Sequence, residues 1–451
     1  MTKCKSKEGS KASNFRRIVG RYHGKDVEVN FNGGDISSDA SGYVLASKVE
    51  QQLKLCERIA AVIPDERQQG KVTHQYKDMI LQRVIGLVQG YEDLTDHNQL
   101  RKDQALKATM HRELDDENAL AGASSFCRLE NPISRETLVK IAEVFIDQFL
   151  DSYEKPPREM MLDFDASDIP LHGDQEGKFF HGYYDHYCYL PLYIFCNRKL
   201  VLPYLRTSNI DGAKHSLAIL KILVGKIRER FSKTKIIIRG DSGFARWKLM
   251  RWCDRNNVQY ILGLARNTVL QRTAAELMKA AENQYESTGK KARLFDECMY
   301  AAKSWDRQRR VIMKAEHNSQ GANPRFVVTN LTYKSPQRIY DKVYCPRGEM
   351  ENRIKEKQLY LFGIRTSSPK FNANQLRLFL SGVAYTFIEY IRSIGLKGTK
   401  YEYSYASTIR DKLLKIAAVI ISNTRRIQLR LSSCHPMQKT YIMVLTRLSP
   451  T

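Results

Sequence analysis

The sequence predicts an α/β fold in which a mixed sheet is interrupted by a β-rich insert and flanked by helical regions. The 451 residues are long enough for about three domains of ordinary size. In the middle of the chain, strands and helices follow one another in an irregular order. A regular doubly wound fold is excluded, because two strands there are joined by a hairpin without a helix between them. The elements read from the pattern are a strand at 160–168, a hairpin over 187–205, a helix over 212–231, a strand at 235–239, a helix over 244–256, a strand at 259–263 and alternating segments at 310–316 and 325–331.

Changes in composition and pattern divide the chain into six regions. Both ends are basic, and helices are expected over Tyr76–Gln89, Arg135–Tyr153 and 409–430. The regions are a flexible basic N-terminal segment at 1–42, a helical region at 43–158, the first part of the α/β core at 159–268, the β-rich insert at 269–340, the second part of the core at 341–400 and a basic helical C-terminal region at 401–451.

The charge balance favours a polyanionic partner. Lys and Arg total 73 against 49 Asp and Glu, which gives a formal net charge of +24. Basic groups that neutralise phosphates release condensed counterions, so nucleic acid is the expected partner; a solvated basic surface is the alternative. Nine scattered cysteines without a CxxC pair are typical of a reducing compartment. Since no apolar run is long enough for a membrane span and no secretory signal is visible, we expect a soluble cytoplasmic protein.

An aspartate ends the most apolar strand of the chain. Residues 235–244 read KIIIRGDSGF, so Asp241 follows a strand that is expected to be buried on both faces. A carboxylate at such a strand end needs a proton, a cation or a metal, and ligands of α/β sheets bind at this edge. The alternative is that Asp241 caps the segment that follows it.

Two further carboxylate motifs lie far from Asp241 in the chain. In LDFDASD, Asp163 and Asp165 point to the same face of a strand, and each needs a counter-charge if the strand is central. In YCPRGEMENRIKE, Glu351 shares one helical stripe with Tyr344 and Arg347, and also with Lys355 and Gln358. An exposed helix with ordinary ion pairs is the alternative for the second motif. Together, two strand carboxylates and one helix glutamate can bind a pair of hard divalent cations, without any His or Cys ligand.

Five segments in a fixed order resemble bacterial insertion-sequence transposases of the DDE type. They are LDFDASD, FFHGYYDHYCYLPLYIF, LRTSNIDGAKHS, IIIRGDSGF and YCPRGEMENRIKE, and the resemblance covers most of residues 30–400. It implies an RNase H-like core, with the β-rich insert before the helix that carries the last catalytic residue. It also implies that the region 43–158 binds the DNA ends.

By this resemblance, the catalytic and metal-binding triad is Asp165, Asp241 and Glu351, which would bind two Mg²⁺ ions, with Mn²⁺ as a substitute. The family's Tyr-x2-Arg-x3-Glu-x6-Lys signature matches at Tyr344, Arg347 and Glu351, whereas its lysine position holds Gln358. Ala166-Ser167 is a second departure, because the family has a small residue followed by Thr there.

DNA contacts are expected from six side chains near these motifs. They are Tyr344, Arg347, Lys355, Arg239, Arg246 and Trp305. The arginines offer bidentate phosphate contacts, and Trp305 in the insert offers a stacking surface for a base, although a tryptophan of the insert core is the alternative. The expected partners are double-stranded DNA, as terminal inverted repeats and as target, and a second copy of the chain in a synaptic complex. The expected location is the bacterial cytoplasm, associated with the nucleoid.

Three functions remain open from the sequence. The first is a DNA transposase, an endonuclease that cuts element ends and joins the 3′-hydroxyl to target DNA. The second is an RNase H-like nuclease without strand transfer, which only product analysis separates from the first. The third is a non-catalytic DNA-binding remnant, which the intact Asp/Asp/Glu set argues against.

Overall fold

The structure is a computed structural model that describes residues 16–332 and 335–449. The α-helices, in chain order, are α1 Ala40–Leu53, α2 Leu55–Ala61, α3 Tyr76–Gln89, α4 His97–Leu100, α5 Gln104–Thr109, α6 Ala123–Glu130, α7 Arg135–Asp151, α8 Ser216–Arg230, α9 Trp247–Arg255, α10 Thr268–Thr273, α11 Ala275–Thr288, α12 Pro336–Arg338, α13 Gly348–Lys355, α14 Phe371–Tyr390, α15 Ala406–Ile409 and α16 Gln438–Leu448.

The strands form four sheets in the described residues. They are β1 Arg16–Tyr22, β2 Lys25–Asn30, β3 Ile36–Ser37, β4 Glu159–Ala166, β5 Ile169–Pro170, β6 Phe179–His181, β7 His186–Tyr189, β8 Leu192–Cys196, β9 Lys199–Tyr204, β10 Lys235–Gly240, β11 Gln259–Leu264, β12 Ala292–Tyr300, β13 Arg309–Asn318, β14 Gly321–Ala322, β15 Arg325–Thr329, β16 Ala418–Asn423 and β17 Arg426–Leu431.

The chain separates into two compact units. One contains Leu53–Gln68 and Cys127–Tyr390, and we call it the sheet unit. The other contains the described parts of Met1–Gln52, Gln69–Phe126 and Ile391–Thr451, and we call it the terminal unit. The described residues nearest the two termini therefore belong to one unit, whereas the six regions read from the sequence keep them separate.

A nine-stranded mixed sheet is the framework of the sheet unit. Its strand order is β12-β13-β15-β11-β10-β4-β8-β9, with β14 beside β13. Strand β10 lies between β4 and β11 and is parallel to both, whereas the other neighbours in the sheet are antiparallel. The expected mixed α/β architecture is confirmed, and β8 and β9 form the expected antiparallel hairpin.

The centre of the sheet is apolar on both faces. Ile236, Ile237 and Ile238 of β10 are each at most 2 % exposed. One face packs in a cluster with β11, β13 and β15, and with the π-helical turn Ile339–Tyr344. This packing brings the segment just before α13 against the carboxyl end of β10, where the expected catalytic residues lie.

The alternating segments of the insert are strands that extend the central sheet. Strand β15 pairs with β11, and β13 pairs with both β15 and β12. Helix α11 covers the outer part of this extension through a small cluster around Ala281, Ala292 and Ala315. The region 269–340 thus begins with helix and continues as sheet.

Several sequence expectations match the observed elements. Helix α3 has the expected bounds, and α7 begins after Ser134, whose Oγ accepts a hydrogen bond from the Thr137 amide at 3.1 Å. Helices α1 and α2 are separated at Lys54, which has a left-handed φ of 49°.

The helix expected over 409–430 is wrong. Only α15 and the π-helical turn Arg410–Leu414 are helical there, and β16 and β17 form an antiparallel hairpin with β3 at its edge. The run Val419-Ile420-Ile421 is β-branched and favours a strand, and Asn423 accepts the amides of Arg425 and Arg426 at the turn.

The expected flexible segment at 1–42 is only partly described. Its residues 1–15 lie outside the described part of the chain. Strands β1 and β2 form an antiparallel hairpin, whose residues are exposed wherever the side chain is described. Among the described residues, no helix has both the length and the apolar character that crossing a membrane requires.

Candidate active site

The parallel pairing of β4 and β10 brings two predicted carboxylates side by side. Arg239 pairs with Asp163 and Gly240 with Phe164, so the next step of the register sets Asp241 beside Asp165. Paired residues of neighbouring parallel strands point to the same face, and the strands lie about 4.8 Å apart. Asp241 keeps an extended backbone, and its Oδ1 accepts the Gly243 amide at 2.8 Å. Asp241 therefore caps the 3-10 turn Ser242–Phe244, as the alternative interpretation of the sequence expects. It also lies next to Asp165.

Asp163 has a separate, structural partner. The Arg239 guanidinium makes a bidentate ion pair with its carboxylate, through Nε and through NH2 at 2.7 Å, and donates from NH1 to the Val343 carbonyl at 2.6 Å. Asp163 and Arg239 are 2 % and 6 % exposed. Arg239 is thus buried in an ion pair with Asp163. The sequence had suggested a DNA contact for this residue, but the structure does not place it on an exposed surface.

Arg347 connects the strand carboxylate with the helix glutamate. Its NH1 lies 3.4 Å from Asp165 Oδ2, and its NH2 lies 3.4 Å from Glu351 Oε1. The Arg347 and Asp165 side chains are 15 % and 11 % exposed, whereas that of Glu351 is 54 % exposed. One guanidinium therefore bridges two residues that are 186 positions apart in the chain.

The electrostatics of Asp165 place all three carboxylates in one neighbourhood. The pKa of Asp165 is raised to about 7, chiefly by burial; the Arg347 charge opposes this shift, and the charges of Asp241 and Glu351 contribute to it. Two nearby like charges disfavour ionisation and favour a cation in the same place. A cluster of this kind, in which burial and specific charges shift a pKa, is typical of functional sites.

Tyr344 reaches the same place because β11 carries a glycine. A Cβ on Gly263 would lie 2.6 Å from the Tyr344 Oη and 3.0 Å from the Ser242 amide nitrogen, so a larger residue would collide with both. Burial raises the pKa of Tyr344, the Arg347 guanidinium opposes this shift, and the charge of Asp241 adds to it. A glycine inside a strand often marks a site where another group approaches closely. Gly263 was therefore the signal in the sequence that could have located the approach of Tyr344 to β11.

The segment around Glu351 is helical but not one regular helix. A π-helical turn at Ile339–Tyr344 and a 3-10 turn at Cys345–Arg347 precede α13, and a second π-helical turn, Glu356–Tyr360, follows it. π-Helical turns are rare in proteins, and those that occur are often found at functional sites. Lys355 is exposed at the end of α13.

Gln358, at the position where the resemblance expects lysine, is turned inward. It is 9 % exposed, and its Nε2 donates to the Asp168 carbonyl at 3.1 Å and lies 3.3 Å from the Ser167 Oγ. Its amide therefore ties the turn that follows α13 to the residues that follow Asp165. The neighbouring Lys357 is fully buried, with its Nζ 5.4 Å from the centroid of the Tyr193 ring.

The remaining expected DNA contacts lie outside this cluster. The Arg246 NH2 pairs with Asp211 at 2.6 Å at an exposed position before α9. Trp305 lies in the loop between β12 and β13, partly buried, edge-on to Tyr300 at 5.5 Å and with the Arg309 guanidinium 5.6 Å from its ring centroid. Trp305 therefore has contacts within the insert, and its contact with DNA stays a prediction.

The donor chemistry of the three carboxylates fits a hard divalent cation, because they offer only oxygen ligands. In residues 16–332 and 335–449, however, no three His, Cys, Asp or Glu side chains are close enough together to form a metal centre. Arg347, itself a cation, contacts two of the three carboxylates in this arrangement.

Comparison with known proteins identifies the family. The profile described as transposase DDE domain group 1 matches residues 19–451. Among solved structures, the chain is similar to the cryo-EM structure of the piggyBac transposase synaptic complex with hairpin DNA, with 13 % identity, a TM-score of 0.42 and coverage of 82 % of this chain and 79 % of that chain. No curated protein sequence matches it at a significant level. Since the family profile spans nearly the whole chain, the protein belongs to the DDE transposases of domain group 1.

Proposed function

We propose that this protein is a DNA transposase that cuts the ends of its element and joins the 3′-hydroxyl to target DNA. The reaction would be divalent-metal-dependent phosphodiester hydrolysis followed by strand transfer, on an RNase H-like core formed by the mixed sheet. Membership of the DDE transposase family supports the reaction class. The formal charge of +24 supports double-stranded DNA as the partner.

One observation carries the assignment of the residues. Arg347 contacts both Asp165 and Glu351, and the parallel register of β4 and β10 sets Asp241 next to Asp165. Two acidic residues from distant parts of the sequence thus contact one guanidinium, and the third lies beside Asp165 at the edge of the sheet. We assign Asp165, Asp241 and Glu351 as the catalytic and metal-binding triad.

The carboxylates would hold Mg²⁺, as one or two ions, and Mn²⁺ would substitute. Bound there, the metal would lower the pKa of the attacking water or 3′-hydroxyl and stabilise the leaving oxygen. The chain's own residues prepare this place. Arg347 offsets the repulsion between Asp165 and Glu351, and its guanidinium is a candidate phosphate contact once DNA is bound. Tyr344 places its hydroxyl against Gly263, close to the Ser242 amide that follows β10.

DNA ends and target DNA would meet in a complex of two chains. Cleavage at both ends of an element requires two active sites, so a homodimer is the simplest assembly. Lys355 is exposed at the end of α13, the helix that carries Glu351, and Arg246 is exposed just before α9, five residues after Asp241. We propose both as phosphate contacts. Trp305 would contact DNA only if its ring were released from Tyr300.

Substitution of triad residues tests this proposal. The substrate is a supercoiled plasmid that carries the gene with its natural flanking DNA. We expect Asp241→Asn and Glu351→Gln to abolish Mg²⁺-dependent cleavage at the element ends and to leave duplex affinity within a few-fold of the native value. Glu349→Gln is the matched control, because Glu349 lies on the same helix, is 68 % exposed and pairs only with Arg353 among the described residues.

Normal cleavage by Asp241→Asn or Glu351→Gln would contradict the assignment of the triad. Loss of cleavage by Glu349→Gln to the same extent would show that the effect belongs to the helix and not to Glu351. Products in which element ends are joined to a second plasmid separate a transposase from a nuclease that only cuts.

A further inference from the structure

The hairpin formed by β16 and β17 projects from a small sheet of the terminal unit. Strand β3 pairs with β16 only at Ala418 and Val419. Beyond that point, the pairs Ile421 with Gln428, Ser422 with Ile427 and Asn423 with Arg426 form a two-stranded ribbon. At about 3.4 Å per residue, this ribbon extends roughly 10 Å.

The two faces of the hairpin differ in character. Ile420 and Leu429 are paired and point inward, and Leu429 and Ile427 line a groove with residues of α1 and α5. The opposite face carries Arg426 and Gln428 on the ribbon and Arg430 further along β17, together with the exposed Val419 and Ile421 of β16. Arg, Gln and Asn are among the side chains that bind base edges in the major groove.

The positive charge of the hairpin is not neutralised. Arg425, Arg426 and Arg430 are exposed, and among the described residues none of them forms an ion pair; the Arg430 Nε donates instead to the Gln428 Oε1 at 3.1 Å. The segment Ala418–Leu431 contains no acidic residue. At the tip, the Asn423 Oδ1 accepts the Arg425 and Arg426 amides at 3.0 Å each, which fixes the turn that carries both arginines.

The other exposed hairpin of the same unit provides a contrast. In β1 and β2, Arg16 pairs with Glu28 at 2.7 Å and Arg21 lies 3.8 Å from Asp26. Two of the basic groups of that hairpin therefore have acidic partners within it. The β16–β17 hairpin differs because all three of its cations are available to an external anion.

We infer that the β16–β17 hairpin is a duplex-binding arm, which enters the major groove of DNA with Arg425 and Arg426 at its tip. The major groove, about 12 Å wide and 8.5 Å deep, accepts a two-stranded ribbon. The exposed outer face, the fixed turn and the three unpaired arginines match that occupant in shape and charge. The inference rests on the proposed function, because it takes DNA as the partner.

Salt-dependent duplex binding by the full chain tests the arm. The probe is a fluorescein-labelled duplex of mixed sequence, and its affinity is measured by anisotropy over a series of NaCl concentrations. Each phosphate contact contributes about 0.9 to the slope of log K against log [salt]. We expect Arg425→Ala with Arg426→Ala to lower that slope by about 1.8, and the double Lys variant, which keeps the charge, to retain it.

The matched control is Arg16→Ala with Arg21→Ala, which removes the same charge from the other hairpin. Its slope is expected to change by less than half as much, because both arginines already have acidic partners. Equal effects of the two alanine pairs, or an unchanged slope in the Arg425/Arg426 variant, would overturn the inference.

A different oligomeric state of the Arg425/Arg426 variant in solution, with an unchanged salt slope, would also overturn the inference, because it would make the hairpin an interface between copies of the chain. If the hairpin variant binds as the native protein does while the native protein still cuts plasmid DNA, the arm fails and the proposed function stands. A native protein that binds no duplex would contradict both.

Discussion

At the scale of single residues, two aspartates of one strand have different partners. Asp163 and Asp165 point to the same face of β4, but only Asp163 has a full ion pair, with Arg239. The register explains why. Arg239 precedes Asp241 by two residues, and Asp163 precedes Asp165 by two residues. When the parallel strands align Asp241 with Asp165, they therefore also align Arg239 with Asp163. This alignment was available from the sequence, and it would have assigned Arg239 to the core.

Gln358 shows how a departure from the family signature changes a residue's task. Its amide contacts the Asp168 carbonyl, just beyond the strand of Asp165. Replacement by methionine, which has similar size but no amide, should slow end cleavage by about tenfold, because a small displacement of the helix that carries the proposed catalytic Glu351 is costly. Duplex affinity should not change. Single-turnover cleavage and anisotropy with the labelled duplex measure the two effects.

Gln375→Met is the control for that substitution. Gln375 is also buried, and its amide bonds to Pro203 and Leu205, which belong to none of the three triad segments. It should lower stability without a selective loss of cleavage. If Gln358→Met instead weakens duplex binding and leaves the cleavage step intact, Gln358 contacts DNA, as the resemblance implies for the lysine of its relatives.

At the scale of elements, the buried strands and the longer amphipathic helices could be predicted, and the C-terminal hairpin could not. Strands β10 and β11 are apolar runs with clear ends, so their type and place follow from the sequence. Residues 409–430 carry apolar side chains at spacings that fit a helix as well as a strand. Pairing with β3, nearly 400 residues earlier in the chain, decides between the two, and no local pattern records it.

Strand β13 contains a charge cluster that should make the insert sensitive to acid. Burial alone would raise the pKa of Glu316, but hydrogen bonds from Lys291, Lys314 and Asn323 outweigh it and lower the pKa to about 2. The folded state therefore favours the ionised carboxylate. This contribution to stability is present above the ordinary pKa of the group and is lost as the pH falls toward 2.

Glu316→Gln should lower the free energy of unfolding by about 3 kcal/mol at neutral pH, because it leaves the buried Lys314 without its partner. The difference from the native protein should roughly halve near pH 3. Urea unfolding at the two pH values measures it. Glu297→Gln, which removes a 42 % exposed partner of Arg310 on the adjacent strand, should cost less than about 1 kcal/mol. A pH-independent loss in Glu316→Gln would contradict the account.

At the scale of the whole molecule, the proposed triad depends on chain segments that only the tertiary fold brings together. Residues 165, 241 and 351 are separated by 76 and 110 positions. The sequence could supply the three carboxylates and their order. It could not supply the bridging position of Arg347, which follows from the packing of the Ile339–Tyr344 turn against β10, β11, β13 and β15.

The central claim is that the three acidic residues bind one metal centre. Iron(II) in place of Mg²⁺, with ascorbate and peroxide, generates radicals that cut the protein backbone next to the bound ion. Mass spectrometry of the full-length chain then locates the cuts. The account predicts cuts close to Asp165, Asp241 and Glu351 together, all suppressed by excess Mg²⁺ and by Asp241→Asn. Cuts at only one of these places, or at sites unrelated to all three, would contradict it.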